Sequence, residues 1–169
     1  MTDRLTITLA QLNPVVGAVS GNIDKVRDAR RQAAEAGADL IVCSELVVSG
    51  YPPEDLVMKP FFLDKVAAAV NEFAAETSDG GPAVLLTAPW RDGERTFNAV
   101  LLLDGGAVAA VRYKHDLPNY GVFDEMRVFD AGPMPGPMDF RGVRIGVPIC
   151  EDIWTPDVPE CLEESGAEI

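Results

Sequence analysis

Cys150 is the residue of this chain best placed to do chemistry. It follows the apolar run 143–149 (VRIGVPI) and precedes Glu151-Asp152. A thiol at the C-terminal tip of a strand, just before a turn, is where α/β enzymes carry a covalent nucleophile. On position alone the residue is equally a small buried hydrophobe, because free cysteine is among the most buried residue types. A nucleophilic thiol needs a base, and His115 is the only histidine. A carboxylate serves instead where a nearby cation favours the thiolate and burial raises the acid's pKa. Glu45 stands just beyond the run 39–43 (DLIVC), and Lys114 directly follows 107–113 (AVAAVRY). Taken singly, Glu45 reads first as a solvated loop acid and Lys114 as a surface ammonium. Taken together, three strand ends carrying Glu, Lys and Cys supply a base, a cation and a nucleophile.

The elements behind these residues have to bring them together. Residues 5–12 alternate apolar and polar side chains up to Asn13-Pro14, the pattern of a strand and a stop. Asn22 is placed to cap a helix over 23–36, with Gly37 ending it. The run 39–43 reads as a short buried strand, and 44–53 as a loop holding Glu45, Gly50 and Tyr51. Residues 61–78 have helical spacing up to Gly80-Gly81-Pro82. Strands over 83–90, 96–103 and 107–113 are separated by turns at Asp92-Gly93 and Asp104-Gly105-Gly106, an antiparallel meander. The segment 114–137 carries four prolines and no periodicity, and such long irregular stretches are often functional. A strand over 143–149 delivers Cys150, and a last helix runs from Pro156 or Asp157 to about Ser165. The order predicts one α/β domain with mixed and antiparallel pairing. Cys43 falls inside a strand and reads as core; Cys161 lies in the last helix and is assigned no role. The acids Asp152, Asp157, Glu160, Glu163 and Glu164 lack the spacing of a calcium loop and read as a solvated helix face. The final GAEI (166–169) is like GADL (37–40), which introduces a strand, so the chain reads as stopping where another strand begins.

Composition narrows the function classes. The 169 residues suit one domain, and 47% apolar with 24% charged residues is ordinary globular usage. A formal net charge of −13 repels phosphate backbones and anionic lipid heads, which argues against nucleic acid and membrane surfaces as partners. No apolar run is long enough to span a bilayer, and the acidic start with no uncharged core after it is not a signal peptide. A cytoplasmic location is expected. Three irregularly spaced cysteines do not make a disulfide framework. Metal-ligand pairs such as CxxC or HxxxH are absent, as are a GxSxG elbow, a GxxxxGK[ST] loop and a GxGxxG fingerprint.

The three strand-end residues sit in longer matching segments. Glu45 in SELVVSGYPPEDL, Lys114 in YKHDLPNYGVFDE and Cys150 in GVPICEDIW resemble the Glu-Lys-Cys triad of the nitrilase, or carbon–nitrogen hydrolase, superfamily. ITLAQLNP followed by GAVSGN is similar to that superfamily's first strand and helix. Within it, LPNYGVFDE and ICEDIW resemble the glutaminase domains of glutamine-dependent NAD synthetases, over the whole 169 residues.

The resemblance implies a four-layer α-β-β-α sandwich, C-terminally incomplete here. It implies hydrolysis of glutamine to glutamate and ammonia through a cysteine thioester, by a route that uses no metal. The ammonia would pass to a C-terminal synthetase domain of the same longer chain, which uses ATP and Mg to convert deamido-NAD to NAD. In that scheme Glu45 is the base, Cys150 the nucleophile, and Lys114 with the backbone N–H of Glu151 the oxyanion donors. Tyr51 and Tyr120 match positions lining the glutamine pocket, with Phe123 beside them, and Glu125 matches an auxiliary glutamate. Self-association is common in the superfamily.

The chain departs from the pattern in length. Roughly 100 further residues of the domain and the SGGxDS phosphate loop of the synthetase are missing. The expectation is an N-terminal portion with little or no activity alone, exposing an unpaired sheet edge and an apolar face. Two other readings remain: an amidase of the same superfamily acting on another amide, and a silent binding or assembly module of the same fold.

Overall fold

The computed structural model describes residues 4–169. Five strands form one mixed sheet in chain order. β1 (Ile7–Ala10), β2 (Leu40–Cys43) and β3 (Ala83–Asp92) are parallel. β4 (Arg95–Asp104) and β5 (Ala107–Tyr113) continue from β3 as an antiparallel meander. The turn between β4 and β5 is Gly105-Gly106 with φ of +59° and +89°. Two successive positive φ values are what a two-residue hairpin of this hand requires, and glycine supplies them without strain.

Helices α1 (Val19–Glu35) and α2 (Pro60–Glu76) cover one face of the sheet. Val26, Val66, Val70 and Phe73 meet Ile41, Val84, Leu86, Leu101 and Leu103 there. The other face carries Leu40, Leu85, Val100 and Leu102 under a two-stranded hairpin, β6 (Met138–Phe140) and β7 (Val143–Ile145). Burial on both faces explains why β3 and β4 are continuous apolar runs rather than alternating ones. Each such side chain removed from water contributes about 1.5–3 kcal/mol. α3 (Asp157–Glu164) lies beyond the hairpin, with Leu162 against Gly146. The layers thus follow the expected helix–sheet–sheet–helix order. β1 is a sheet edge, and its Leu9 is 71% exposed.

Three sequence expectations are corrected. Asn22 does not cap α1, which starts three residues earlier; it is buried in the first turn. Its Oδ1 accepts from Val15 N–H at 2.8 Å, and its Nδ2 donates to the carbonyls of Val15 and Val48 at 2.8 and 3.1 Å. The strand before Cys150 ends at Ile145 rather than 149, because the next backbone groups bond elsewhere: Gly146 N–H to Ile169 O at 2.7 Å and Ile149 N–H to Asp152 Oδ2 at 2.9 Å. β6 has no counterpart in the sequence reading; three residues among prolines and glycines are too short to show a period.

Candidate active site

Each candidate residue is positioned by local structure rather than by a free loop. Glu45 follows β2 in a segment whose next five residues are all buried. Thr87 Oγ1 accepts from Val47 N–H at 2.9 Å, and Val48 N–H reaches Thr87 O at 3.2 Å. Gly50, at φ +75°, closes the segment where a Cβ would lie 2.7 Å from the Val16 backbone. The solvated reading of Glu45 therefore fails: the loop is stitched to β3 and to α1.

Lys114 continues the β4–β5 ladder, its N–H donating to Asn98 O at 2.8 Å. Gly132 packs against it with its own N–H on Lys114 O at 2.8 Å; a Cβ there would sit 2.6 Å from Tyr113 Cβ. The Lys114 side chain is 0% exposed, the opposite of a surface ammonium. Its Nζ lies 2.7 Å from Glu45 Oε1, and 3.0 and 2.9 Å from the two oxygens of Glu125. Burial alone would depress the ammonium's pKa, but the charges and hydrogen bonds of Glu45 and Glu125 outweigh it and raise it. Burial also pushes Glu125 upward, against the pull of Lys114.

Cys150 opens a short 3-10 turn at φ +48°, a conformation that side chains other than glycine rarely adopt. Asp152 holds that turn. Its carboxylate accepts Ile149 N–H at 2.9 Å on one oxygen, and His115 and Asp116 N–H at 3.1 and 2.8 Å on the other. One side chain thus ties the cysteine turn to the backbone just after Lys114. Asp152 is 1% exposed, so its place on a solvated acidic face is corrected; the acids of α3 follow it in sequence but not in space. Asp152→Asn exchanges a charged acceptor of three N–H groups for an amide. A loss of about 1–3 kcal/mol in stability is expected, read by urea denaturation.

The thiol of Cys150 is pushed up to about 11, first by burial and then by the charge of Glu45, with Lys114 pulling the other way. At neutral pH Cys150 is therefore favoured as a thiol over a thiolate. Cys43, by contrast, is core, and burial pushes it up to about 12.

Tyr51, Phe123 and Tyr120 form an aromatic row, with ring centroids 6.5 and 5.5 Å apart. Tyr51 OH donates to Glu125 at 3.0 Å, and Tyr120 OH to the carboxylate of Glu151 at 3.0–3.1 Å. Tyr120 is 58% exposed, so the row runs from a buried end at Glu125 to an open end beside Cys150. All eight residues singled out in the sequence converge on this place. Two were missed there. Asn98, buried in β4, donates from Nδ2 to Glu45 at 2.8 Å and Glu125 at 3.4 Å. Its only sequence signal is an amide inside the apolar strand FNAVLLL. Asp152 gave no signal beyond standing two residues after Cys150. Among the described residues, no group of three or more His, Cys, Asp or Glu side chains could hold a metal ion.

The layered α/β fold, with Glu45 just after β2, Lys114 just after β5 and Cys150 on the turn beyond β7, is that of a hydrolase of carbon–nitrogen bonds. The chain belongs to the carbon–nitrogen hydrolase family, whose profile matches residues 6–169. It is 47% identical over 169 residues to the glutamine-dependent NAD(+) synthetase of Rhodobacter capsulatus, covering all of this chain and 30% of that protein. It also superimposes on glutamine-dependent NAD+ synthetase from Acinetobacter baumannii in complex with ADP. That match has a TM-score of 0.90 and 34% identity, over 96% of this chain and 31% of the other. An amidase from Nesterenkonia sp. AN1 aligns at TM-score 0.82 and 26% identity, over 97% of this chain and 64% of its own. That structure, of a variant, shows the result of Michael addition of acrylamide at the amidase's active-site cysteine. The chain spans about 30% of the length of the curated relatives it matches. No helix among the described residues is long and apolar enough to cross a membrane.

Proposed function

We propose that this chain carries the site that hydrolyses the side-chain amide of glutamine, with Glu45, Lys114 and Cys150 as its catalytic residues. The observation that carries the reading is a cysteine at a strained turn, close to a carboxylate that shares a buried ammonium with a second carboxylate. Such a thiol becomes a nucleophile only as its proton leaves. Glu45 takes that proton while the sulfur bonds to the amide carbon and the carbonyl electrons move onto oxygen. Lys114 and the backbone N–H of Glu151 stabilise the oxyanion, an interaction worth about 3–4 kcal/mol per donor. Lys114 touches both oxygens of Glu125; releasing one of these contacts frees an N–H for the oxyanion. The Glu45 proton then goes to the departing nitrogen, the C–N bond breaks, and ammonia leaves a thioester. Water, giving a proton to Glu45, attacks the thioester; the C–S bond breaks, the sulfur takes the proton back from Glu45, and glutamate leaves. The aromatic row of Tyr51, Phe123 and Tyr120 forms the wall of the substrate site.

Glutamine is the substrate favoured by the similarity to glutamine-dependent synthetases over the whole chain. The ammonia would then serve NAD formation from deamido-NAD in a synthetase domain of a longer protein, where ATP and Mg would be held, and the whole would self-associate. The test is covalent labelling with a glutamine-like diazoketone, read by intact mass and peptide mapping. A single adduct at Cys150, blocked by excess glutamine, is expected. No adduct in a folded longer protein carrying this chain, or an adduct that glutamine does not block, would overturn glutamine as substrate. The likeness to an amidase supports a second reading, turnover of another small amide, which labelling competed by a panel of amides would reveal.

A further inference from the structure

Asn98 has an unusual arrangement for a fully buried amide in the middle of a strand. Both N–H groups point at carboxylates, Glu45 Oε1 at 2.8 Å and Glu125 Oε2 at 3.4 Å. Its Oδ1 is buried with no hydrogen-bond partner among the described residues. The opposite amide orientation would set Oδ1 against two carboxylate oxygens, so the carboxylates dictate which end faces them. Lys114 Nζ reaches Glu45 on the same oxygen, Oε1, at 2.7 Å. Oε1 therefore holds two donors from the protein, and neither of them reaches Oε2.

We infer that Asn98 is a positioning residue: with Lys114 it occupies Oε1 of Glu45 and so commits every proton transfer of the reaction to Oε2. This rests on Glu45 being the base. Without Asn98, Lys114 alone holds Oε1, the carboxylate is less firmly fixed about its terminal bond, and Oε1 can compete with Oε2 for the proton. In the forward step the proton passes from Cys150 Sγ to Oε2 as the S–C bond forms, and from Oε2 to nitrogen as the C–N bond breaks. The charged or titratable groups around Glu45 are Lys114 after β5, Glu125 in its 3-10 turn, Tyr51 after β2 and Cys150. Removing Asn98 leaves all four in place and withdraws one donor from the carboxylate, which disfavours its charged form.

The measurement is the pH profile of Cys150 alkylation by iodoacetamide, resolved by peptide mapping from Cys43 and Cys161. Wild-type protein, Asn98→Leu, Asn98→Asp and Glu45→Gln are compared after each is shown to be folded by circular dichroism. The wild type should show a carboxylate-assisted plateau at neutral pH with an acid limb below it. In Asn98→Leu the acid limb moves up by about one to two pH units, the size of one hydrogen bond to a charged group, and the plateau falls. Asn98→Asp removes the donor and adds a like charge, so its limb moves further up; it carries the test if the leucine variant does not fold. Glu45→Gln should lose the plateau. If it does, and both Asn98 profiles coincide with the wild type, Asn98 is packing only and the inference fails while the base assignment stands. If Glu45→Gln keeps the plateau, the base assignment itself fails, and this inference with it.

Discussion

In a longer protein carrying this chain, Cys150→Ala is expected to abolish covalent labelling by a glutamine-like diazoketone and to lower amide hydrolysis by a factor on the order of 10⁴ or more, the scale seen when a covalent nucleophile is removed. The residue is exposed overall and its thiol only partly screened from water by the walls of the site, so deletion of its sulfur leaves no core cavity, and stability should stay within about 0.5 kcal/mol of wild type. Cys150→Gly separates the two roles of the position. At φ +48° every residue with a Cβ is strained. Glycine relieves that strain, so this variant should be as inactive as alanine but more stable than wild type by about 1 kcal/mol. Thermal melts and mass spectrometry on the same samples read both effects. Turnover or labelling that survives in either variant would assign the nucleophile elsewhere; a glycine variant no more stable than alanine would mean the turn is not under strain.

The second large effect is expected from Lys114→Met. The lysine ammonium is shared by Glu45 and Glu125 with 0% of its side chain exposed, and Glu125 is nearly as buried. Methionine keeps much of the volume and removes the charge, leaving two neighbouring carboxylates in a site with little solvent. Breaking a buried pair from one side costs about 3–5 kcal/mol. The loss must depend on pH, with a definite sign. Two facing carboxylates that have lost their cation hold protons more tightly in the folded state than in the unfolded state. The folded variant then binds more protons than the unfolded chain, so its stability rises as pH falls. Urea denaturation at pH 7 and pH 5 should show the gap to wild type narrowing at the lower pH. An equal gap at both would mean that the ammonium is not what balances these two acids. Labelling of Cys150 should fall as well, since the Lys114 charge pulls its thiol downward.

The corrected readings share a cause. Asn22 carries the right residue type for a helix cap, but its amide serves Val15 and Val48, residues close to it only in the folded chain. Asp152 stands among exposed acids along the sequence, and becomes a buried brace because the backbone of Ile149, His115 and Asp116 arrives around it. The strand expected up to Cys150 stops early because its last residues find partners other than a ladder. In each case the pattern along the chain reports which groups need hydrogen bonds, and the fold decides which groups supply them.

From sequence alone the alternation of strands and helices was legible, since apolar periodicity records which faces are buried. So were the residue types of the candidate site, because Glu45, Lys114 and Cys150 each stand near the end of an apolar run, inside segments like those of a known superfamily. What only the tertiary structure decided is how those residues are held: one ammonium between two carboxylates, an amide turned with its donors toward both, a thiol on a left-handed turn, and a buried aspartate linking that turn to the lysine. These are contacts between residues as many as 69 positions apart, as in the bond from Lys114 to Glu45. Their directions and their effect on proton affinity depend on distance and burial, which no local pattern along the chain encodes.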